Sequence, residues 1–205
     1  MSVLLVDYGA GNLASVMKAF GAVGTGARIA RSPQELAAAS AIVVPGVGHF
    51  AATATLGDAW RTAIRAAIAA RTPVLGICLG MQWLMSGSDE APDVDGLGVF
   101  PGRCARLTGP LKVPHVGWNT LDTRTDSCAL LDGIDAGAAA YFTHTYAVPV
   151  SDDAVATTTY GETFTAVIAA DRVFGAQFHP EKSGATGLRL IANFARLSRT
   201  AGSSC

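Results

Sequence analysis

The first half of the chain alternates between short, mostly apolar runs and longer segments with apolar residues on one face only. Residues 2–8, 27–30, 41–44 and 73–77 read as strands, too short for helices and, apart from Ser2, Asp7 and Arg28, too apolar for half-exposed strands. Between them, residues 12–23 and 58–70 carry helical periodicity, the second with Trp60, Ile64 and Ile68 on one face. Ser32-Pro33 supplies a cap and a first-turn proline for a shorter helix, and residues 79–85 read as another. Strands of this kind must be covered on both faces, which means a parallel sheet sandwiched by helices.

After Ser86 the pattern changes. Residues 99–107, 113–121, 139–148 and 154–160 read as extended segments, and 163–169 with 173–178 read as a hairpin around "ADR". Residues 187–197 form a closing amphipathic helix. The expectation is one α/β domain over residues 1–199, with an antiparallel extension on its second half and a polar, mobile tail over 200–205. With 205 residues there is room for one sizeable domain.

Composition narrows the function classes. A net charge of −1 gives no electrostatic footprint for nucleic acid, and no basic run suggests a membrane surface. The N-terminal apolar run is only Val3 to Val6, with no basic residue before Lys18, unlike a secretory signal. No window reaches transmembrane length. Cys78, Cys104, Cys128 and Cys205 are scattered without a C-x-x-C, which fits free thiols in a reducing cytoplasm. The histidines are equally scattered, so no metal site is expected.

Three glycine-rich turns follow the apolar runs. Gly9 to Ala14 and Gly46 to Ala51 both satisfy G-x-G-x-x-[GA], the dinucleotide fingerprint. Two matches in one short chain show how permissive that pattern is. An acid is wanted about 20 residues on, and Arg28 and Arg31 stand there instead. Tight strand-to-helix turns explain both, and no cofactor is expected.

The third turn, Gly76-Ile77-Cys78-Leu79-Gly80, is a G-x-C-x-G nucleophile elbow. Its glycines let strand and helix approach, its cysteine stands above the C-terminal sheet edge, and a helix N-terminus favours thiolate there. The Leu79 amide points to where an oxyanion would form. A structural cysteine is the bland alternative. Against it stands "FHPEKS", where His179 and Glu181 share a side of an extended segment, so that the glutamate orients the imidazole beside the sulfur.

"GICLGMQ" with "FHPEKS" resembles the class I, triad-type glutamine amidotransferases. "PGVGHF", "VPHVGWN" and "YFTHTY" narrow the likeness to the branch that serves a cyclase subunit in histidine biosynthesis, over nearly the whole chain. The resemblance implies a flavodoxin-like, doubly wound sheet. It implies hydrolysis of glutamine to glutamate and ammonia, with Cys78 as nucleophile, His179 as base and Glu181 as orienter. It places the oxyanion hole at Leu79 and at Gly46, Val47 and Gly48 of the "PGVG" turn. Gln82 and the backbone of Thr145 and Tyr146 would hold the amino-acid end of glutamine. Asn12, Trp118, Tyr141 and Lys182 would face the cyclase in a heterodimer. A glycine-permitted peptide rotation in "PGVG" would gate the site. His144 reads as a core histidine, and His115 and Trp118 read equally as loop anchors. The alternatives are a stand-alone cysteine hydrolase of γ-glutamyl compounds and a silent binding module that keeps the fold.

Overall fold

The computed structural model describes residues 2–125, 128–199 and 205. In chain order the first half gives β1 (Val3–Val6), α1 (Leu13–Ala22), β2 (Ala27–Ala30), β3 (Ala41–Gly46), α2 (Asp58–Ala69), β4 (Val74–Cys78) and α3 (Leu79–Leu84). The second half gives β5 (Gly87–Ser88), β6 (Arg103–Arg106), β7 (His115–Thr120), β8 (Asp122–Thr123), β9 (Ala139–His144), β10 (Tyr146–Ala147), β11 (Ala154–Tyr160), β12 (Glu162–Ala170), β13 (Val173–Ala176) and α4 (Gly184–Leu197). Among the described residues no helix is long and apolar enough to cross a membrane.

The main sheet has the order β2-β1-β3-β4-β13-β12-β11-β8. The strands from β2 to β13 run parallel, and β12, β11 and β8 continue antiparallel. This is the doubly wound sheet with an antiparallel extension read from the sequence. Its strands feed two cores. Val3 and Leu5 point into one, with α1 and α4, while Leu4 and Val6 point into the other, with α2 and α3. That period-2 split explains why β1 is apolar throughout. Two small ribbons, β10-β6-β5 and β7-β9, stand apart from the sheet.

Local departures have local causes. Residues 33–38 form a 3₁₀ turn, with only six residues to close between Ser32 and Ala39. The expected extended segment 99–107 is a strand only over β6. Upstream of it the amides of Leu97 and Val99 donate to the carbonyls of Trp83 and Leu84 (2.5 and 2.9 Å), closing off the end of α3. The segment 139–148 breaks at Thr145 into β9 and β10, which join different sheets. Cys128 and Cys205 are joined in a disulfide. This corrects the expectation of free thiols and removes that part of the case for a reducing compartment. The partners lie 77 residues apart in sequence, beyond any local signal. Of the expected tail, residues 200–204 lie outside the described residues, while Cys205 packs against the core beside Cys128.

Candidate active site

The turns after β1, β3, β4 and β13 meet on one edge of the sheet, at the carboxyl ends of its parallel strands, where open α/β sheets bind ligands. Cys78 closes β4 with φ +52° and ψ −107°, a left-handed conformation that side chains rarely adopt. The flanking glycines are required by contact. A Cβ on Gly80 would fall 1.7 Å from the Val44 carbonyl oxygen, and one on Gly76 would fall 2.6 Å from that of Gly80. The crossing of α3 over β3 and β4 thus depends on bare backbone, and it turns Cys78 off the sheet edge. α3 has only six residues, so its dipole is a weak contributor at the sulfur.

His179 follows β13, and its Nδ1 lies 2.8 Å from Glu181 Oε1, with both side chains buried. The sequence expectation of an extended segment is corrected here. Pro180–Lys182 is a 3₁₀ turn, and it is this turn that brings the carboxylate back to the ring. Tyr141 anchors the arrangement: its carbonyl accepts from the His179 amide, and its amide donates to Ser183 Oγ, which donates to the His179 carbonyl. Burial pushes the imidazole down, but the interactions with Cys78 and Glu181 and the charges of both outweigh it and raise His179 to about 9. Among the described residues His179 Nε2 makes no aligned hydrogen bond. The sulfur instead faces the Thr143 carbonyl at 3.9 Å and the Gln177 amide nitrogen at 3.7 Å. His179 therefore stands as an imidazolium at neutral pH, held so by its neighbours Cys78 and Glu181.

Cys78 opens into a cavity of about 270 Å³ lined by Gly48, Leu79, Gln82, Glu90, Pro114 and the run Thr143 to Tyr146. A larger cleft of about 400 Å³ lies around Asp132 and Arg196, away from Cys78. The smaller one adjoins Cys78, and it is the candidate site. Gln82 is buried, and its Nε2 donates to the Tyr146 carbonyl at 2.8 Å and to Gln177 Oε1 at 3.2 Å. The Thr145 carbonyl accepts from the Leu107 amide. Glu90, unmarked in the sequence, is the acid among the lining residues, and its Oε2 accepts from the Phe50 amide at 2.7 Å.

In the "PGVG" turn, Gly48 has φ +103° and the Val47 amide donates to the Ala10 carbonyl at 2.8 Å. That amide is tied to the turn after β1 and is not free for an oxyanion. Beside it, the buried Tyr8 hydroxyl makes no hydrogen bond among the described residues, and a Cβ on Gly46 would strike it at 1.9 Å. Burial, with the charge of Cys78 second, pushes the Tyr8 hydroxyl well up.

Trp118 is 59% exposed on β7, its ring 6.0 Å from Tyr141, and Lys182 Nζ stands 5.9 Å from the Tyr141 ring. Val116, also exposed on β7, joins them and was not singled out in the sequence. Asn12 caps α1, accepting from the Ser15 amide at 3.3 Å. His115 and His144 are buried and touch, Nδ1 to Nε2 at 3.1 Å. Burial lowers them to about 4 and about 3, so both are neutral. His115 lies in a strand and not in a loop, while His144 also lines the cavity.

Residues 4–197 match the family model described as glutamine amidotransferase class-I. The chain is 46% identical over 201 residues to a protein of Natronomonas pharaonis named imidazole glycerol phosphate synthase subunit HisH, covering 94% of this chain and 93% of that one. A protein of the same name from Thermococcus kodakarensis is 45% identical, covering 95% and 100%. Among solved structures, one described as a glutamine amidotransferase has a TM-score of 0.75 at 18% identity, covering 96% of this chain and 99% of that one. The structure of PurLQS from Thermotoga maritima has a TM-score of 0.74 at 17% identity, with 95% and 97% covered. These two agree in fold.

Proposed function

We propose, for a chain that belongs to the class-I glutamine amidotransferase family, that the cavity above Cys78 takes glutamine and that the ammonia released passes to a separate cyclase subunit. The chain is the glutaminase subunit of an imidazole glycerol phosphate synthase, acting in histidine biosynthesis. The observation that carries the reading is the buried Cys78–His179–Glu181 set opening on a cavity of amino-acid size.

The chemistry follows from the positions. The Cys78 sulfur attacks the γ-amide carbon, and the developing oxyanion meets the Leu79 amide. His179 gives its proton to the nitrogen as the C–N bond breaks and ammonia leaves. Water then attacks the γ-glutamyl thioester and passes a proton to His179. The C–S bond breaks, its electron pair returns to sulfur, and glutamate departs. Glu181 holds the imidazole in one tautomer throughout. Glu90 supplies a negative charge for the ammonium of glutamine in a cavity that Gln82, Thr145 and Tyr146 also line.

The partner face is the patch of Trp118, Tyr141 and Lys182, with Asn12 nearby, and ammonia leaves across it to the cyclase, which makes imidazole glycerol phosphate and AICAR from PRFAR. The pair works in the cytoplasm. A stand-alone hydrolase would be expected to keep both oxyanion donors ready; the Val47 amide tied to Ala10 favours the partnered reading. The test is Cys78→Ala in the two-subunit complex. Glutamine-dependent synthesis is lost while synthesis from added ammonia survives. Survival of the first, or loss of both in an intact complex, contradicts the reading.

A further inference from the structure

Gln177 is wholly buried, one residue beyond β13, and is no member of the triad. Its Nε2 lies 3.7 Å from Cys78 Sγ, and its Oε1 accepts from Gln82 Nε2 at 3.2 Å. The same Gln82 nitrogen donates to the Tyr146 backbone carbonyl at 2.8 Å, which also accepts from His144 Nδ1 at 3.0 Å. A backbone carbonyl can only accept, so Gln82 must turn its NH₂ group toward Tyr146. An NH₂ group there can only donate to Gln177, so Gln177 must present its oxygen to Gln82 and its own NH₂ to the sulfur. Turning either carboxamide over would set two donors, or two acceptors, face to face. One fixed backbone acceptor thus sets the direction of the whole row.

We propose that Gln177 is a further catalytic residue of this site, donating an N–H to the Cys78 sulfur whenever that sulfur carries charge, with Gln82 as the positioning residue that keeps the carboxamide turned that way. The inference rests on Cys78 being the nucleophile. A neutral thiol has its own proton to place, and the Thr143 carbonyl, 3.9 Å away, is there to accept it. Once the proton has moved to His179, the sulfur becomes an acceptor, and bonds to ionised acceptors are about twice as strong as neutral ones. The donor acts where charge sits on sulfur: before attack on the amide carbon, and again when the thioester C–S bond breaks and its electron pair returns. A carboxamide does not titrate, so this support persists at every working pH.

The test follows iodoacetamide alkylation of Cys78 against pH in the complex with the cyclase, the adduct located by mass. In Gln177→Met and Gln177→Glu, both close in size to the original, the midpoint of the alkylation curve moves up by about one pH unit and kcat falls about tenfold or more. KM for glutamine stays within about twofold, because a donor to charged sulfur acts mainly after binding. Gln82→Met moves the midpoint the same way by less. A second measurement needs no substitution at Gln177: its side-chain NH₂ resonances shift over the pH range in which alkylation rises, and lose that dependence in Cys78→Ala. Superimposable alkylation curves in folded variants overturn the inference, as do NH₂ resonances indifferent to pH. Failure of the unsubstituted Cys78 to alkylate overturns the proposed function itself, and this inference with it.

Discussion

Cys78 holds a backbone conformation that costs on the order of 1–3 kcal/mol for a residue with a side chain, and the surrounding contacts leave it no other. The strain is what stands the sulfur off the sheet. His179 is poised by its two neighbours, and the sign of its pH dependence is fixed by them. Its imidazolium, raised to about 9, persists through neutrality, so this linkage stabilises the fold fully below about 6.5 and is lost as pH rises through about 9. In the proposed mechanism the same proton is given to departing ammonia, so glutaminase kcat/KM should fall above about pH 9 in a rate profile of the complex; a rate that keeps rising beyond pH 10 contradicts the assignment. Glu181→Gln should lower kcat by roughly 10²- to 10⁴-fold with a smaller change in KM, since the group that orients the general acid–base is altered while the cavity is left intact. Steady-state kinetics decide this, and an unchanged kcat would remove Glu181 from the triad. The proposed triad was legible because each member sits in a short motif. Gln177 and Glu90 were not, because neither has meaning until Gln82, Cys78 and the cavity are placed around it.

Between β3, β4 and α3 the decisive dimension is the thickness of bare backbone. Gly80→Ala puts a methyl on the Val44 carbonyl, a backbone atom that cannot swing aside. A loss at or above the upper end of about 1–3 kcal/mol is expected, measurable as a lower urea midpoint, together with loss of activity as α3 is pushed off the sheet. A Gly80→Ala chain as stable and active as the original would mean that the elbow does not need this crossing. The β7–β9 ribbon makes a different demand. Its neutral, buried His115 and His144 are protonated in the unfolded chain below about 6.5 but not in the fold until about 4 and about 3. Stability should therefore fall as pH drops from 6.5 toward 4, and less steeply in His144→Gln; equal slopes for the two proteins in urea titrations at pH 7 and pH 5 would contradict this. At this scale the parallel strands were readable from apolar run length. The breaks at Thr145 and ahead of Arg103 were not, because they answer to contacts with α3 and to a change of sheet, both remote in sequence.

Across the whole molecule, the proposed nucleophile and base are in place while one of the proposed oxyanion donors is not. The Val47 amide is tied to Ala10, and Gly46 and Gly48 on either side are the residues that let the peptide turn. The exposed Trp118 ring lies 6.0 Å from that of Tyr141, whose carbonyl accepts from the His179 amide, so a partner seated on Trp118 presses close to His179. A partner that binds the turned-in state more tightly shifts the population toward it, and a hundredfold activation requires only about 2.7 kcal/mol of such preference. The proposed gate was half visible in the sequence: "PGVG" suggested that a peptide could turn, but the bond from Val47 to Ala10 joins turns after two different strands and exists only in the fold. Glutamate release at saturating glutamine, by the chain alone, with the cyclase, and with the cyclase holding its nucleotide ligand, tests this most directly. The lone chain should be slow and at least about a hundredfold faster in the liganded complex, with the gain in kcat more than in KM; a lone chain that already turns over at the full rate of the liganded complex would contradict the proposed gate.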